Sequence, residues 1–165
     1  MEYLQHKLTS MLYTLKTKQV LKSDMKTVWD FMSSPANLAE ITPPYMGFTI
    51  LSDKDDIQKM YAGQIIDYYV TPLLGIKLHW VTEITHAEQN KYFVDEQRFG
   101  PYSFWHHKHF VKEVPGGIEM TDLLHYKVPF GVLGKIINHL YIRDKIKEIF
   151  DYRYNKLEEL FNHGK

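Results

Sequence analysis

The sequence predicts an α+β fold: a curved seven-stranded antiparallel sheet around a long C-terminal helix, with two short helices after strand one. Three observations predict it. The longest helix signal, residues 132–162, comes last. It follows a series of strand signals whose later members are joined by short turns, which makes neighbours antiparallel. A helix with one apolar stripe buries it only by lying across a sheet already made. The expected consequence is a cavity between sheet and helix, with its mouth near the start of that helix, between Pro129 and Gly134.

The elements follow in order. Residues 11–21 alternate Met11, Tyr13 and Leu15 against Leu12, Thr14 and Lys16, the period of a strand. Ser23 is placed to cap a helix over 24–32, whose Val28, Trp29 and Met32 share a face. Pro35 opens a second short helix to about Glu40, at the position where its missing N–H costs nothing, and Ile41-Thr42-Pro43-Pro44 stops it. Strands are then expected over 47–52, 64–71, 76–86, 91–99, 103–112 and 118–128. Residues 52–56 read as a charged turn and 73–75 as a loop. In the fourth strand Ile76, Leu78, Trp80, Thr82 and Ile84 share a face. In the seventh, Ile118, Met120, Asp122, Leu124, Tyr126 and Val128 do.

The last helix carries two stripes. Leu133, Ile136, Ile137 and Leu140 form one, and Ile142, Ile146, Ile149, Arg153, Leu157 and Leu160 form another, offset around the axis. A straight helix of about 30 residues would also be about 45 Å long, against about 40 Å for a compact domain of this size. Both arguments predict a bend or irregular hydrogen bonding between Leu140 and Asp144.

The 165 residues fit one domain, 1–165, with 44% apolar and 24% charged residues, a composition that packs a core rather than staying disordered. Net charge is zero, which argues against a general nucleic-acid binder. There is no cysteine, hence no disulfide, thiol nucleophile or thiolate metal site. Residues 1–10 lack the apolar run of a signal peptide, and no stretch approaches the roughly 18 apolar residues of a membrane span. A cytoplasmic protein is the expectation. Aromatic residues reach 15%, enough to line a pocket as well as fill a core.

Several motifs are similar to those of a known superfamily. They are Trp29-Asp30-Phe31, Asn37-Leu38 with Ile41-Thr42-Pro43-Pro44, Trp80-Val81-Thr82-Glu83-Ile84 and Asp95-Glu96-Gln97. Gly100-Pro101-Tyr102, Trp105-His106-His107-Lys108-His109-Phe110 and Ile149-Phe150-Asp151-Tyr152-Arg153 continue the series. With them the chain resembles the START/Bet v 1-like superfamily, also called SRPBCC or polyketide cyclase/dehydrase-like, and within it an uncharacterised bacterial branch. The resemblance spans nearly the whole chain. It implies the helix-grip fold and a cavity that takes a hydrophobic small molecule.

The densest polar constellation lies between Asp95 and His109. On strand six Trp105, His107 and His109 project from one face, and Phe104, His106 and Lys108 from the other. Two histidines at i, i+2 can share a metal completed by Asp95, Gln97 or Asp122, or work with a carboxylate as acid and base. A polar cross-strand ladder outweighs both readings, because only two ligands are evident. No metal, cofactor or catalytic residue is therefore assigned, and His107, His109, Asp95 and Asp122 stand as catalytic candidates. Asp122 needs a buried partner, for which Arg98, Arg143, Arg153 or a histidine can serve.

The function predicted is binding of a hydrophobic small molecule, such as a lipid, isoprenoid or aromatic metabolite. Expected ligand-binding residues are Trp80, Trp105, His107, His109, Asp122, Tyr126 and Phe150. The alternatives are an enzyme of the cyclase, dehydratase or hydrolase type using the His and Asp groups, and a partner-binding accessory protein. No nucleic-acid partner and no membrane span are expected, and the sequence does not give the oligomeric state.

Overall fold

A computed structural model describes residues 11–53, 57–73 and 75–163. The turn at Lys54, Asp55 and Asp56 lies outside the described residues. The chain forms β1 (Tyr13–Leu21), α1 (Met25–Met32), β2 (Thr49–Ile50), β3 (Ile65–Leu73), β4 (Ile76–Glu88), β5 (Tyr92–Phe99), β6 (Phe104–Val114) and β7 (Gly117–Lys127). A terminal helix follows, made of α2 (Gly131–Ile137), a π-helical turn (Asn138–Ile142), α3 (Arg143–Leu157) and a second π-helical turn (Glu158–Asn162). The seven strands make one sheet in the order β1-β7-β6-β5-β4-β3-β2. Every neighbouring pair is antiparallel.

The sheet curves where its ladders slip. Registers shift between Val81 and Thr82 and again between Ile84 and His86 where β4 meets β5, and between Val70 and Leu73 where β3 meets β4. Such irregularities add twist and bend a strand. Pro72 sits in the slip on β3, where no ladder N–H is needed, so the strand runs through the proline expected to end it. β7 alternates as its sequence does: Ile118, Met120, Asp122, Leu124 and Tyr126 are buried and their neighbours are not. In β4 the inward face holds at Trp80, Thr82 and Ile84, while Ile76 at the strand's end is exposed.

Three local details differ from the sequence reading. Asp24, not Ser23, caps α1: its carboxylate accepts the Thr27 N–H at 2.9 Å and the Thr27 hydroxyl at 2.7 Å. A carboxylate also complements the positive end of the helix dipole, which a serine does not. Pro35–Ala39 is a 3₁₀ helix, and the Pro43-Pro44 stop leads into another, Pro44–Met46, closed by Gly47 at a left-handed φ of 54°. β2 shrinks to two residues at the sheet edge, where a short strand limits pairing with other chains.

The terminal helix is irregular where its stripes change phase, as expected. The extra residue in the π turn at Asn138–Ile142 turns the second stripe onto the sheet, burying Ile146, Arg153 and Leu157. The first stripe does not pack. Leu133 is 58% and Leu140 71% exposed, with Ile136 and Ile137 also in solvent. What faces inward there is Gly134 and Asn138, both buried. A Cβ built on Gly134 would lie 1.9 Å from the Pro129 carbonyl oxygen, so this turn approaches the chain too closely for a larger residue. Asn138 accepts the Tyr126 hydroxyl at 3.0 Å. Periodicity identified a stripe, but small and polar residues made the closer contact.

Buried residues gather in three clusters. Leu21, Trp29, Phe93, Ile118 and Leu157 fill one end; Leu15, Leu124, Tyr126, Ile146 and Phe150 pack sheet against helix; Met46, Ile66, Tyr68, Val70 and Trp80 form the wall under β3 and β4. No helix among the described residues is long and apolar enough to cross a membrane.

Candidate functional site

Between the sheet and the terminal helix lies an open cavity of about 200 Å³. Inward residues of β3 and β4 supply one wall, Ile66, Tyr68, Val70 and Trp80, because a strand turns alternate side chains to the same side. The helix supplies Ile146, Ile149 and Phe150 opposite them. Leu38 and Met46 of the 3₁₀ turns, Thr42 between them, and Tyr141 and Lys145 of the helix complete the lining. No residue from Pro129 to Gly134 lines the cavity, which corrects the expected mouth. Residues 130–137 turn only Gly134 inward, and it meets Pro129 and Val128 rather than the cavity.

Aromatic rings stiffen one side. Trp80 and Trp105 meet edge to face at 5.2 Å between centroids, Tyr102 packs on Trp105 at 4.8 Å, and Tyr68 stacks on Trp80 at 6.1 Å. The Tyr68 hydroxyl is 3.0 Å from that of Thr82. Burial pushes the Tyr68 and Tyr102 hydroxyls up, so both stay protonated. Trp80 Nε1 is buried without a hydrogen-bond partner.

The polar end is a compact charge cluster. Register places His107 opposite Asp95 and Leu124, and His109 opposite Phe93 and Asp122, so β5, β6 and β7 contribute to one patch. Asp95, His107 and His109 line the cavity, and Asp122 lies behind the rings, 1% exposed. His109 Nε2 donates to Asp95 Oδ2 at 2.8 Å. His109 Nδ1 and His107 Nε2 approach Asp122 Oδ1 to 2.6 and 3.2 Å. These are ion-pair distances, but the angles are poor, and none of these three atoms has an aligned hydrogen bond. His107 Nδ1 is 3.5 Å from Asp95 Oδ2, and Arg153 Nη1 is 3.7 Å from Asp122 Oδ1. Phe93 stacks on the His109 ring at 4.1 Å. Trp105 Nε1 donates to Asp95 Oδ1 at 3.3 Å, joining the aromatic wall to the cluster.

Charge balance follows from these distances. Burial, and then the charge of His109, lower His107 to about 4, so it is neutral at pH 7. Burial pushes His109 down, but Asp122 and Asp95 outweigh it and raise its pKa. Burial raises Asp122 and Asp95, yet the histidines outweigh it, holding Asp122 well below the ordinary carboxylate value and Asp95 below it too. Arg153, and His109 when it is protonated, supply the positive charge that faces the two carboxylates.

Among the residues singled out from sequence, Trp80, Trp105, His107, His109, Asp95 and Phe150 meet at this cavity, while Asp122 and Tyr126 do not line it. Burial pushes the Tyr126 hydroxyl up to about 12, and it is occupied with Asn138. Gln97 is engaged with the backbone of Tyr102 at 2.6 and 3.2 Å, which pins the turn between β5 and β6. Of the possible partners for Asp122, the histidines and Arg153 serve; Arg98 pairs with Glu83 at 2.5 Å, and Arg143 with Asp144. Sequence reasoning missed Tyr68, Phe93 and the 3₁₀ lining. Strand alternation points to Tyr68 and Phe93, but nothing local in the sequence points to the 3₁₀ lining.

The architecture is the START/Bet v 1-like fold. Solved structures of the same fold include a START superfamily protein from Mycobacterium smegmatis, 13% identical, with 89% of this chain and 98% of that one aligned at a TM-score of 0.63. Protein Ms6760 from the same organism is 16% identical over 94% of each chain, TM-score 0.64. A protein from Arthrobacter aurescens is 15% identical over 94% of this chain and 90% of that one, TM-score 0.66. No protein-family model matches the chain, and neither does any curated protein.

Proposed function

We propose that this protein binds a small, largely apolar molecule in the cavity between β3–β6 and the terminal helix. The observation that carries the reading is the cavity itself, with apolar and aromatic walls and one polar end at Asp95, His107 and His109. Its roughly 200 Å³ is below the usual range of about 300–1,000 Å³, so a compact ligand fits better than a long acyl chain. A void of this size left dry is costly: core mutants lose about 24 cal/mol per Å³, or on the order of 5 kcal/mol here. The test is a thermal-shift screen with aromatic and isoprenoid ligands. A ligand that binds only the folded state raises the melting temperature. Trp105→Ala should reduce that rise more than His107→Ala; no shift with any ligand would overturn the reading.

A second reading is an enzyme of the cyclase, dehydratase or hydrolase type. The observation favouring it is the convergence of Asp95, His107 and His109 on the cavity with Asp122 behind their rings. An enzyme should show its substrate consumed over many turnovers and a larger loss with His107→Ala than with Trp105→Ala.

A further inference from the structure

We propose that Asp95, His107 and His109 form a binding site for one divalent transition-metal ion of the zinc class, open to the cavity. One donor atom from each of these side chains lies within 4.8 Å of the other two. Zinc bonds of about 2.0–2.2 Å at tetrahedral angles put neighbouring donors about 3.3–3.6 Å apart. The gap from Asp95 Oδ2 to His107 Nδ1, 3.5 Å, matches that spacing; the gap to His109 Nε2, 2.8 Å, is a hydrogen-bond distance that opens slightly when an ion enters. An ion seated there displaces the hydrogen bond between His109 and Asp95, and the proton on His109 Nε2 leaves to solvent.

The competing explanation is a polar ladder that only fixes strand register. Two features separate the explanations. A ladder spreads its contacts over its members, yet His107 Nε2 and His109 Nδ1 crowd onto one buried carboxylate, at 3.2 and 2.6 Å. Those two nitrogens are also the ones turned away from Asp95, and both lie on a single oxygen of Asp122. A carboxylate behind the far nitrogens of two imidazoles is the arrangement that fixes ring orientation in metal sites. Two imidazoles and one carboxylate leave coordination positions free on the cavity side, as in metal centres that take an exchangeable ligand. The site stands independently of the organic ligand, because it is measured with metal alone.

The experiment uses the full chain stripped with a chelator. Zn²⁺ is titrated by calorimetry, Co²⁺ by visible absorbance, and stoichiometry is read by native mass spectrometry. One ion per chain is expected, with Co²⁺ giving ligand-field bands. His109→Ala and Asp95→Asn should each weaken binding at least about 100-fold. Asp122→Asn, which keeps all three ligands, should weaken it about 10–100-fold. His106→Ala, on the outer face of the same strand and paired with Glu96, should leave affinity unchanged. Near-UV circular dichroism checks that each variant folds. Should the variants not fold, imidazole NMR of the unaltered protein decides: Zn²⁺ must shift His107 and His109 ring signals and spare His106 and His79. No uptake by the folded protein, equal affinity in His109→Ala, or shifts confined to surface histidines would overturn the proposal.

Discussion

Asp122 is the residue whose removal should reach furthest. It is 1% exposed, and one of its oxygens faces His107, His109 and Arg153 together. Asp122→Ala leaves Arg153 as a buried cation whose Nε and Nη1 already lack aligned hydrogen bonds. Breaking a buried ion pair from one side costs about 3–5 kcal/mol. His109 keeps Asp95 at 2.8 Å, which places the expected loss toward the lower end of that range. For a chain of this size each kcal/mol moves the melting temperature by about 2–4 °C, so a fall on the order of 6–15 °C is expected. Asp122→Asn retains shape and an acceptor and should cost less. Arg153→Met removes the stranded cation, so adding it to Asp122→Ala should recover part of the loss in a double-mutant cycle. Thermal and urea unfolding at pH 7, with chelator present, measure the four proteins of the cycle and Asp122→Asn. A cost below about 1 kcal/mol for Asp122→Ala, or strict additivity in the cycle, would refute this account of the buried charges.

Three further predictions concern the fold and its protonation. Asp24→Ala should cost about 0.5–2 kcal/mol in unfolding free energy and Ser23→Ala close to nothing, which tests the reassigned helix cap. Leu140→Lys should leave the melting temperature nearly unchanged because the side chain is in solvent, whereas Leu157→Ala should cost about 2–5 kcal/mol because it is fully buried. His107, with a folded pKa near 4 against 6.5 in the unfolded chain, disfavours protonation in the folded state. Its contribution is therefore present above pH 6.5 and is lost as the pH falls from there toward 4. His109 has the opposite sign, being raised, and contributes below 6.5. In chelator, His107→Gln should flatten the acid limb of a stability–pH profile; an unchanged limb would contradict the assignment.

The strands were legible because alternation is a two-residue signal that a sheet with one buried face obeys almost everywhere. Ile118 to Tyr126 illustrates it, including Asp122, whose place among apolar neighbours already demanded a partner. The break in the last helix was legible as a phase jump and emerged as the π turn at Asn138–Ile142. The inward face of α2 was not legible. A hydrophobic stripe marks where burial would be favourable, but Gly134 sits where the Pro129 carbonyl, just before the helix, leaves no room, and a stripe carries no signal of such a close backbone approach. The cavity's 3₁₀ lining was hidden for a related reason: two 3₁₀ turns joined by prolines carry no period of their own. At the polar end, spacing gave His107 and His109 one face. Only the pairing of β5, β6 and β7 brought Asp95 in front of the rings and Asp122 behind them.

The central claim is that the cavity holds a small apolar ligand, and tryptophan fluorescence tests it most directly. Trp80 and Trp105 both line the space, so an occupant must change their surroundings. Titration with the ligand giving the largest thermal shift should produce a saturable change at one molecule per chain. In Ile149→Trp the added ring fills the cavity from the helix side, and the same titration should lose saturation while the fold is retained. A titration that stays linear in the unaltered protein, or one that saturates equally in Ile149→Trp, would contradict the claim.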